Sequence, residues 1–314
     1  TIAGVILNQV GGQRHETKLR QAVEYYTGLP VIGAVRKNPE LQIDERHLGL
    51  IPSNEMGGSQ AIIRRWGEIV AEQVDMGLLL EAAADVSLAT AADPVQNKTA
   101  DVKIGIARDA AFGFYYPDDL LAFKRAGAEL IPVDLINDSF LPAVDGLFIG
   151  GGFPETSMRK LSENEAMRQK ILDAVESGLP VYAECGGLMY LSRQISWRGK
   201  TCPMVGAIPC DTVMFDKPQG RGYVKLRETG KGGWSSSVDG GFNAHEFHYS
   251  RVVNLAPDLE YAYRVKRGFG IDGEKDGIMV NNVLACYAHQ RQAGGNRWVD
   301  NFTQFVRDQR SRHD

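Results

Sequence analysis

The chain has 314 residues, 43% of them hydrophobic and 24% charged, the balance of a globular protein long enough to bury sizeable cores in about two domains. Its formal net charge is −4, so neither nucleic acid nor an anionic membrane surface is expected as a partner. No apolar run reaches the ~18 residues of a membrane helix, no opening stretch has the form of a signal peptide, and the expected compartment is the cytoplasm.

The chain opens without an initiator Met on Thr1-Ile2-Ala3-Gly4-Val5-Ile6-Leu7-Asn8, which reads as a buried strand over residues 2–8. A chain entered on a core strand is expected to be part of something longer. A Gly11-Gly12 turn leads into a helix over about residues 16–27, and a short strand at 31–35 follows Pro30. Ile62, Ile63, Trp66, Ile69 and Val70 recur at helical spacing within residues 59–75. This alternation predicts a parallel sheet. Periodicity is lost over residues 88–101, which are small, polar and interrupted by Pro94. The expected organisation is therefore a first domain at 1–90, a linker at 91–101 and a second domain at 102–314.

The second domain starts on a strand at 102–107. Pro117 suits the first turn of a helix running to about Ala126, with Asp118 and Asp119 favoured there by the helix dipole. Strands follow at 129–133 and 146–149, then a helix over 163–177. The strand at 180–184 runs straight into Cys185. Residues 200–285 read as antiparallel and irregular, with a Gly-rich hairpin-like stretch at 230–241. No internal repeat or low-complexity tract is present.

Four cysteines, Cys185, Cys202, Cys210 and Cys286, form no C-x-x-C pair, which argues against a zinc ribbon or thioredoxin-like motif. A disulfide framework is not expected in so long a chain, and the last three read as inert core thiols. Cys185 differs. It stands in Pro180-Val181-Tyr182-Ala183-Glu184-Cys185-Gly186-Gly187-Leu188-Met189-Tyr190-Leu191, where a buried strand meets a nucleophile, two glycines and a helical apolar pattern. That is the sequence form of a nucleophile elbow. The glycines permit a strained turn that lifts the thiol out of the sheet. The helix start behind the sulfur favours thiolate, and turn N–H groups can hold an oxyanion. Gly150, Gly151 and Gly152 follow another strand and let backbone approach a ligand closely. Read alone, they could equally be a tight turn.

A thiol nucleophile needs a base. His15 and His313 read as surface residues, and His47 has no evident chemical partner. His289 ends the apolar run 283–288. His245 and His248 lie in Asn243-Ala244-His245-Glu246-Phe247-His248-Tyr249-Ser250. Strand alternation turns them to opposite faces, which disfavours one metal ion between them. No metal site is expected. Residue logic leaves His289 and His245 level as candidate bases.

Asp109-Ala110-Ala111-Phe112-Gly113-Phe114-Tyr115-Tyr116-Pro117-Asp118-Asp119-Leu120, the Gly150–Glu155 loop, the Cys185 elbow, the 245–250 segment and Tyr287-Ala288-His289 together resemble the cobyrinic acid a,c-diamide synthase family in order and spacing. The resemblance implies an α/β fold: a class I glutamine amidotransferase (flavodoxin-like) domain, preceded by the tail of a P-loop dethiobiotin-synthetase-like α/β domain. It implies Cys185 as nucleophile on the side-chain amide of glutamine, and His289 as base ahead of His245. It implies Gly150, Gly151, Gly152 and Gly186 as the oxyanion and glutamine-binding cradle. His245 and Glu246 become cleft or structural residues, and Asn8 an adenine-side residue of the first domain. The 45–52 stretch Glu45-Arg46-His47-Leu48-Gly49-Leu50-Ile51-Pro52 fits that domain's late strands.

Two departures matter. No G-x-x-x-x-G-K-S/T run occurs in the chain. Mg and ATP are thus expected for the complete enzyme, upstream of Thr1, and not in this chain. Arg291 also stands where many class I amidotransferases place a Glu two residues after the His, so a dyad is expected there. Ala244 and Phe153 are milder departures. The implied partners are glutamine and a tetrapyrrole dicarboxylate, cobyrinic or hydrogenobyrinic acid, with room for a homodimer. The alternatives are the same chemistry on sirohydrochlorin or sirohaem, a cobyric acid synthase-like activity, a Cys hydrolase of the same fold, or a non-catalytic module.

Overall fold

A computed structural model describes residues 2–43, 58–84, 99–234 and 241–313 of the chain. The expected strand segment at 45–52 and most of the expected linker lie outside the described residues. The chain separates into two compact units, Thr1–Pro94 and Val95–Asp314.

The first unit runs β1 (Val5–Val10), α1 (Gln13–Thr27), β2 (Val31–Arg36), α2 (Ser59–Ala71) and α3 (Met76–Ala84). β1 and β2 pair in parallel, as the alternation predicts. α1 stops at Gly28, whose φ of 66° closes the helix by donating its N–H to Glu24. β2 is buried from Val31 to Val35, whereas β1 is half-exposed, with Ile6 at 43%. The expectation of a buried first strand is corrected here. Its apolar residues read as core, but β1 belongs to a two-stranded sheet and only β2 is covered on both faces.

The second unit opens with β3 (Val102–Ala107), β4 (Phe112–Phe114), α4 (Pro117–Arg125), β5 (Ala128–Val133), β6 (Gly146–Ile149) and β7 (Gly151–Gly152). α5 (Met158–Glu163), α6 (Glu165–Glu176), β8 (Val181–Glu184) and α7 (Gly186–Leu191) follow. A β-rich stretch then holds β9 (Gln194–Trp197), β10 (Lys200–Pro203), β11 (Asp211–Met214), β12 (Gly220–Glu228), β13 (Gly241–His248) and β14 (Ser250–Val253). β15 (Glu260–Arg267), β16 (Lys275–Val280), β17 (Val283–Cys286) and α8 (Trp298–His313) complete it.

Nine strands form the main sheet in the order β13-β12-β15-β16-β17-β8-β6-β3-β5. The β17-β8-β6-β3-β5 half is parallel and the other half antiparallel. Parallel strands covered on both faces read as continuous apolar runs, and β6 and β8 do. Their alternation divides two cores. Leu147, Ile149, Val181 and Ala183 pack with Leu161, Ile171 and Leu188 on one face. Phe148 and Tyr182 pack with Phe123, Trp298 and Phe302 on the other. The helix expected at 163–177 is α6, and a separate short helix, α5, precedes it. Asn164 caps α6 by accepting from the Met167 N–H, and its amide donates to the carbonyls of Leu135, Ile136 and Asp138. Those bonds hold it out of helical conformation. Among the described residues no helix is long and apolar enough to cross a membrane.

Candidate active site

Cys185 sits between β8 and α7 with φ 47° and ψ −96°, a strained conformation costing on the order of 1–3 kcal/mol for a residue with a Cβ. The fold holds it there at both ends. Its N–H donates to Cys286 of β17 at 2.7 Å, and its carbonyl accepts from Met189 at 3.0 Å. Gly187 makes the turn possible: a Cβ on it would lie 2.1 Å from the Ile149 carbonyl oxygen. The strand–Cys–Gly–Gly pattern thus folds as the elbow it predicts.

His289 is buried (6% exposed) and lies close enough to the Cys185 thiol for the sulfur to raise its pKa, while the hydrogen bond of the thiol itself runs to the Phe247 carbonyl at 3.9 Å. Its Nδ1 lies 3.3 Å from Oε2 of Glu184, which leaves Nε2 to serve the thiol. Burial pulls the imidazole pKa down, but hydrogen bonds and charge from Cys185 and Glu184 override it and raise it to about 10. Glu184 is itself fixed: Oε1 accepts from the Tyr182 hydroxyl at 2.7 Å and the Gln290 N–H at 2.8 Å. The Phe114 ring stands edge-on to His289 at 5.0 Å between centroids.

Buried Asp276 accepts from the N–H groups of Gly277, Tyr287 and Ala288 at 2.8 to 3.0 Å. It thereby ties down the backbone that delivers His289. Burial, working against those hydrogen bonds, pushes its carboxyl up to about 6.

His245 and His289 are joined by their own backbones. His245 N–H donates to His289 at 3.2 Å, and His289 N–H donates back at 2.7 Å. Both candidate bases therefore stand at one place, but they differ in surroundings. His245 is half-exposed, and burial together with the charge of His289 lowers its pKa. The His289 ring is the one set against Glu184 and raised in pKa by Cys185. Glu246 turns to the opposite face, as alternation predicts. It is buried, accepts from Phe269 and Gly270 at 2.7 and 2.8 Å, and lies 3.8 Å from His248. Those bonds make it a brace for the turn at 268–270 rather than a cleft residue.

The glycine loop is divided in its uses. Gly150 donates its N–H to the Tyr115 hydroxyl at 3.1 Å, so the expectation that it cradles an oxyanion is corrected: its donor is already engaged. A Cβ on Gly151 would stand 2.5 Å from His289 Cε1, so this position must be bare for the imidazole to lie against the loop. Gly152 N lies 3.0 Å from where a Cβ of Gly186 would be, so the glycine loop and the elbow are in close contact there. Asn8 lies in the first unit, in an open cleft with Arg36, Lys37 and Trp66, and its Oδ1 accepts from the Gln9 N–H at 2.8 Å.

Arg291 is paired with Asp118 and lies over the Tyr116 ring at 5.5 Å, so it offers His289 nothing. The carboxylate arrives from Glu184 instead. Sequence reading misses it, although it is the residue before the nucleophile. A titratable side chain closing an otherwise apolar strand is the available signal. Among the described residues no group of three or more His, Cys, Asp and Glu side chains could hold a metal ion. Cys210 and Cys286 are buried free thiols and Cys202 is half-buried.

Residues 103–296 match the family model of the CobB/CobQ-like glutamine amidotransferase domain. The chain is 42% identical over 321 residues to the cobyrinate a,c-diamide synthase of Magnetococcus marinus, covering 99% of this chain and 68% of that protein. It is 40% identical to the Methanosarcina acetivorans protein of the same name over 317 residues, covering 92% of this chain and 63% of that one. For the Archaeoglobus fulgidus protein of the same name the figures are 41% over 297 residues, 92% and 63%. The chain thus spans 63% to 68% of the length of these three relatives.

Proposed function

We propose, from the premise that the chain belongs to the cobyrinate a,c-diamide synthase family and carries its class I glutamine amidotransferase domain, that residues 102–314 hydrolyse glutamine to supply ammonia for amidating the a and c acetates of cobyrinic or hydrogenobyrinic acid. The observation that carries this reading is the Cys185 elbow with His289 held by Glu184 and raised in pKa by the thiol.

Cys185 Sγ attacks the side-chain amide carbon of glutamine. The oxyanion falls to the amides of Gly152 and Gly186. As the C–N bond breaks, His289 gives its proton to the leaving ammonia, and a glutamyl thioester remains. His289 then takes a proton from water, which attacks the thioester, and glutamate leaves as the thiol re-forms. Glu184 keeps the imidazole oriented and stabilises its cationic form. The released ammonia is the nucleophile for an acyl phosphate on the acceptor.

Residues 1–90 are read as the C-terminal part of the ATP-dependent synthetase domain, with Asn8 on the adenine side. The residues present do not build a triphosphate or Mg site: the chain has no P-loop run, and the described residues have no metal-holding cluster. ATP activation is therefore assigned to no residue of this chain.

The test is the complete protein with 6-diazo-5-oxonorleucine, an alkylating glutamine analogue. Labelling of Cys185 together with ammonia release from glutamine supports the reading. Absence of both, with the acceptor and ATP present, overturns it.

A further inference from the structure

A second accumulation of charge lies on the main sheet, away from Cys185. Lys225 and Arg227 project from the exposed face of β12, while Val224 and Leu226 are buried on the other face. Register places Arg227 directly opposite Arg264 of β15, and Arg264 directly opposite Lys275 of β16. One row of three cations therefore crosses three adjacent strands. The neighbouring row sets Lys225 opposite Arg267. All five side chains are exposed, and none forms an ion pair among the described residues; the nearby Lys231 is bound to Glu260 at 2.6 Å.

Like charges directly opposite each other destabilise a sheet. Two such contacts in one row and a third beside it, in a chain of net charge −4, make a locally positive face on which a bound anion relieves repulsion. The row also lines an open cleft of about 530 Å³ together with Lys266, Tyr261, Glu228 and Glu260, the last of these paired with Lys231. Strand spacing gives the row a length of ~10 Å, and the two rows are ~6.6 Å apart. A flat array of this kind does not converge on one phosphate. It matches several carboxylates spread round the rim of a flat ring system. Tyr223, on the same exposed face two residues before Lys225, stands opposite His245. The nearer row, at Lys225, thus lies two residues along β12 from the residue that faces His245.

We propose that this face of β12, β15 and β16 binds the carboxylate rim of the tetrapyrrole acceptor. The inference rests on the acceptor class given under the proposed function.

The test titrates the complete protein into uroporphyrin III, a fluorescent octacarboxylate, at low and moderate salt. The unmodified protein is expected to bind with a steep salt dependence. The Arg264→Gln/Lys275→Gln variant is expected to bind at least tenfold more weakly with a shallower salt slope. Its unfolding temperature should not fall, because it removes like-charge neighbours. Lys225→Gln/Arg227→Gln, on the adjacent strand, should act in the same direction. Binding by both variants as tight as that of the unmodified protein, or no binding by the unmodified protein, overturns the site. Displacement by tripolyphosphate at matched charge also overturns it, in favour of a compact phosphate site. Labelling of Cys185 by the glutamine analogue separates this inference from the glutaminase reading. Binding without labelling keeps this face and removes the glutaminase, and labelling without binding does the reverse.

Discussion

Glu184 Oε2 stands 3.3 Å from His289 Nδ1, and Glu184 is bonded in sequence to Cys185. One strand end therefore delivers both the nucleophile and the group that orients its partner. No residue after His289 has to supply a carboxylate, and Arg291 is free to pair with Asp118.

The first prediction concerns that contact. The pKa of His289 is raised to about 10, above the unfolded value near 6.5. The stabilisation from its charged form is thus complete below the unfolded pKa and is lost as pH rises towards 10. Glu184→Gln keeps the shape and removes the charge, so the His289 pKa falls. Glutamine hydrolysis by the complete enzyme should lose its alkaline limb nearer neutrality. Its kcat should drop roughly 10²-fold with little change in KM. An unmoved limb in the pH–rate profile would reduce Glu184 to a space-filling role.

The two histidines give a second prediction. His289→Ala removes the ring that Glu184 orients and should cut glutamine-dependent turnover by roughly 10²–10⁴-fold. His245→Ala leaves that ring in place, and its backbone bonds to residue 289 do not need its side chain. Its effect on kcat should be less than about tenfold on the same scale. Comparable losses in steady-state assays would return His245 to the role of base.

Two glycines separate a steric demand from a conformational cost. Gly187→Ala pushes a Cβ to 2.1 Å from the Ile149 carbonyl. It should destabilise the second unit by at least about 1–3 kcal/mol, the usual range for overpacking. Gly67 lies inside α2, and a Cβ added there would meet nothing within 4 Å. Gly67→Ala should stabilise by about 0.5–1 kcal/mol through helix propensity. Denaturant midpoints of the two variants should move in opposite directions.

Much of the site is legible in the sequence because its demands are local. A strand, a cysteine and two glycines in succession specify the elbow, and Cys185 and Gly187 behave accordingly. The choice of base is not local. His245 and His289 occupy one backbone bridge, and only the packing of β8 against β17 decides which ring meets Glu184. Glu184 is hidden because it reads as the last residue of a buried strand. Its partners Gln290 and His289 lie 106 and 105 residues away. Gly150 misleads because a free N–H looks the same in sequence as one held by Tyr115. β1 misleads because apolar content reports a preference for burial and not the number of strands beside it.

The central claim is that Cys185 serves glutamine hydrolysis and nothing downstream of it. The most direct measurement is the turnover of Cys185→Ser in the complete enzyme, with glutamine and then with free ammonia as nitrogen donor. Glutamine-dependent amidation should be abolished while ammonia-dependent amidation survives near the unmodified rate. Equal loss with both donors would contradict the account.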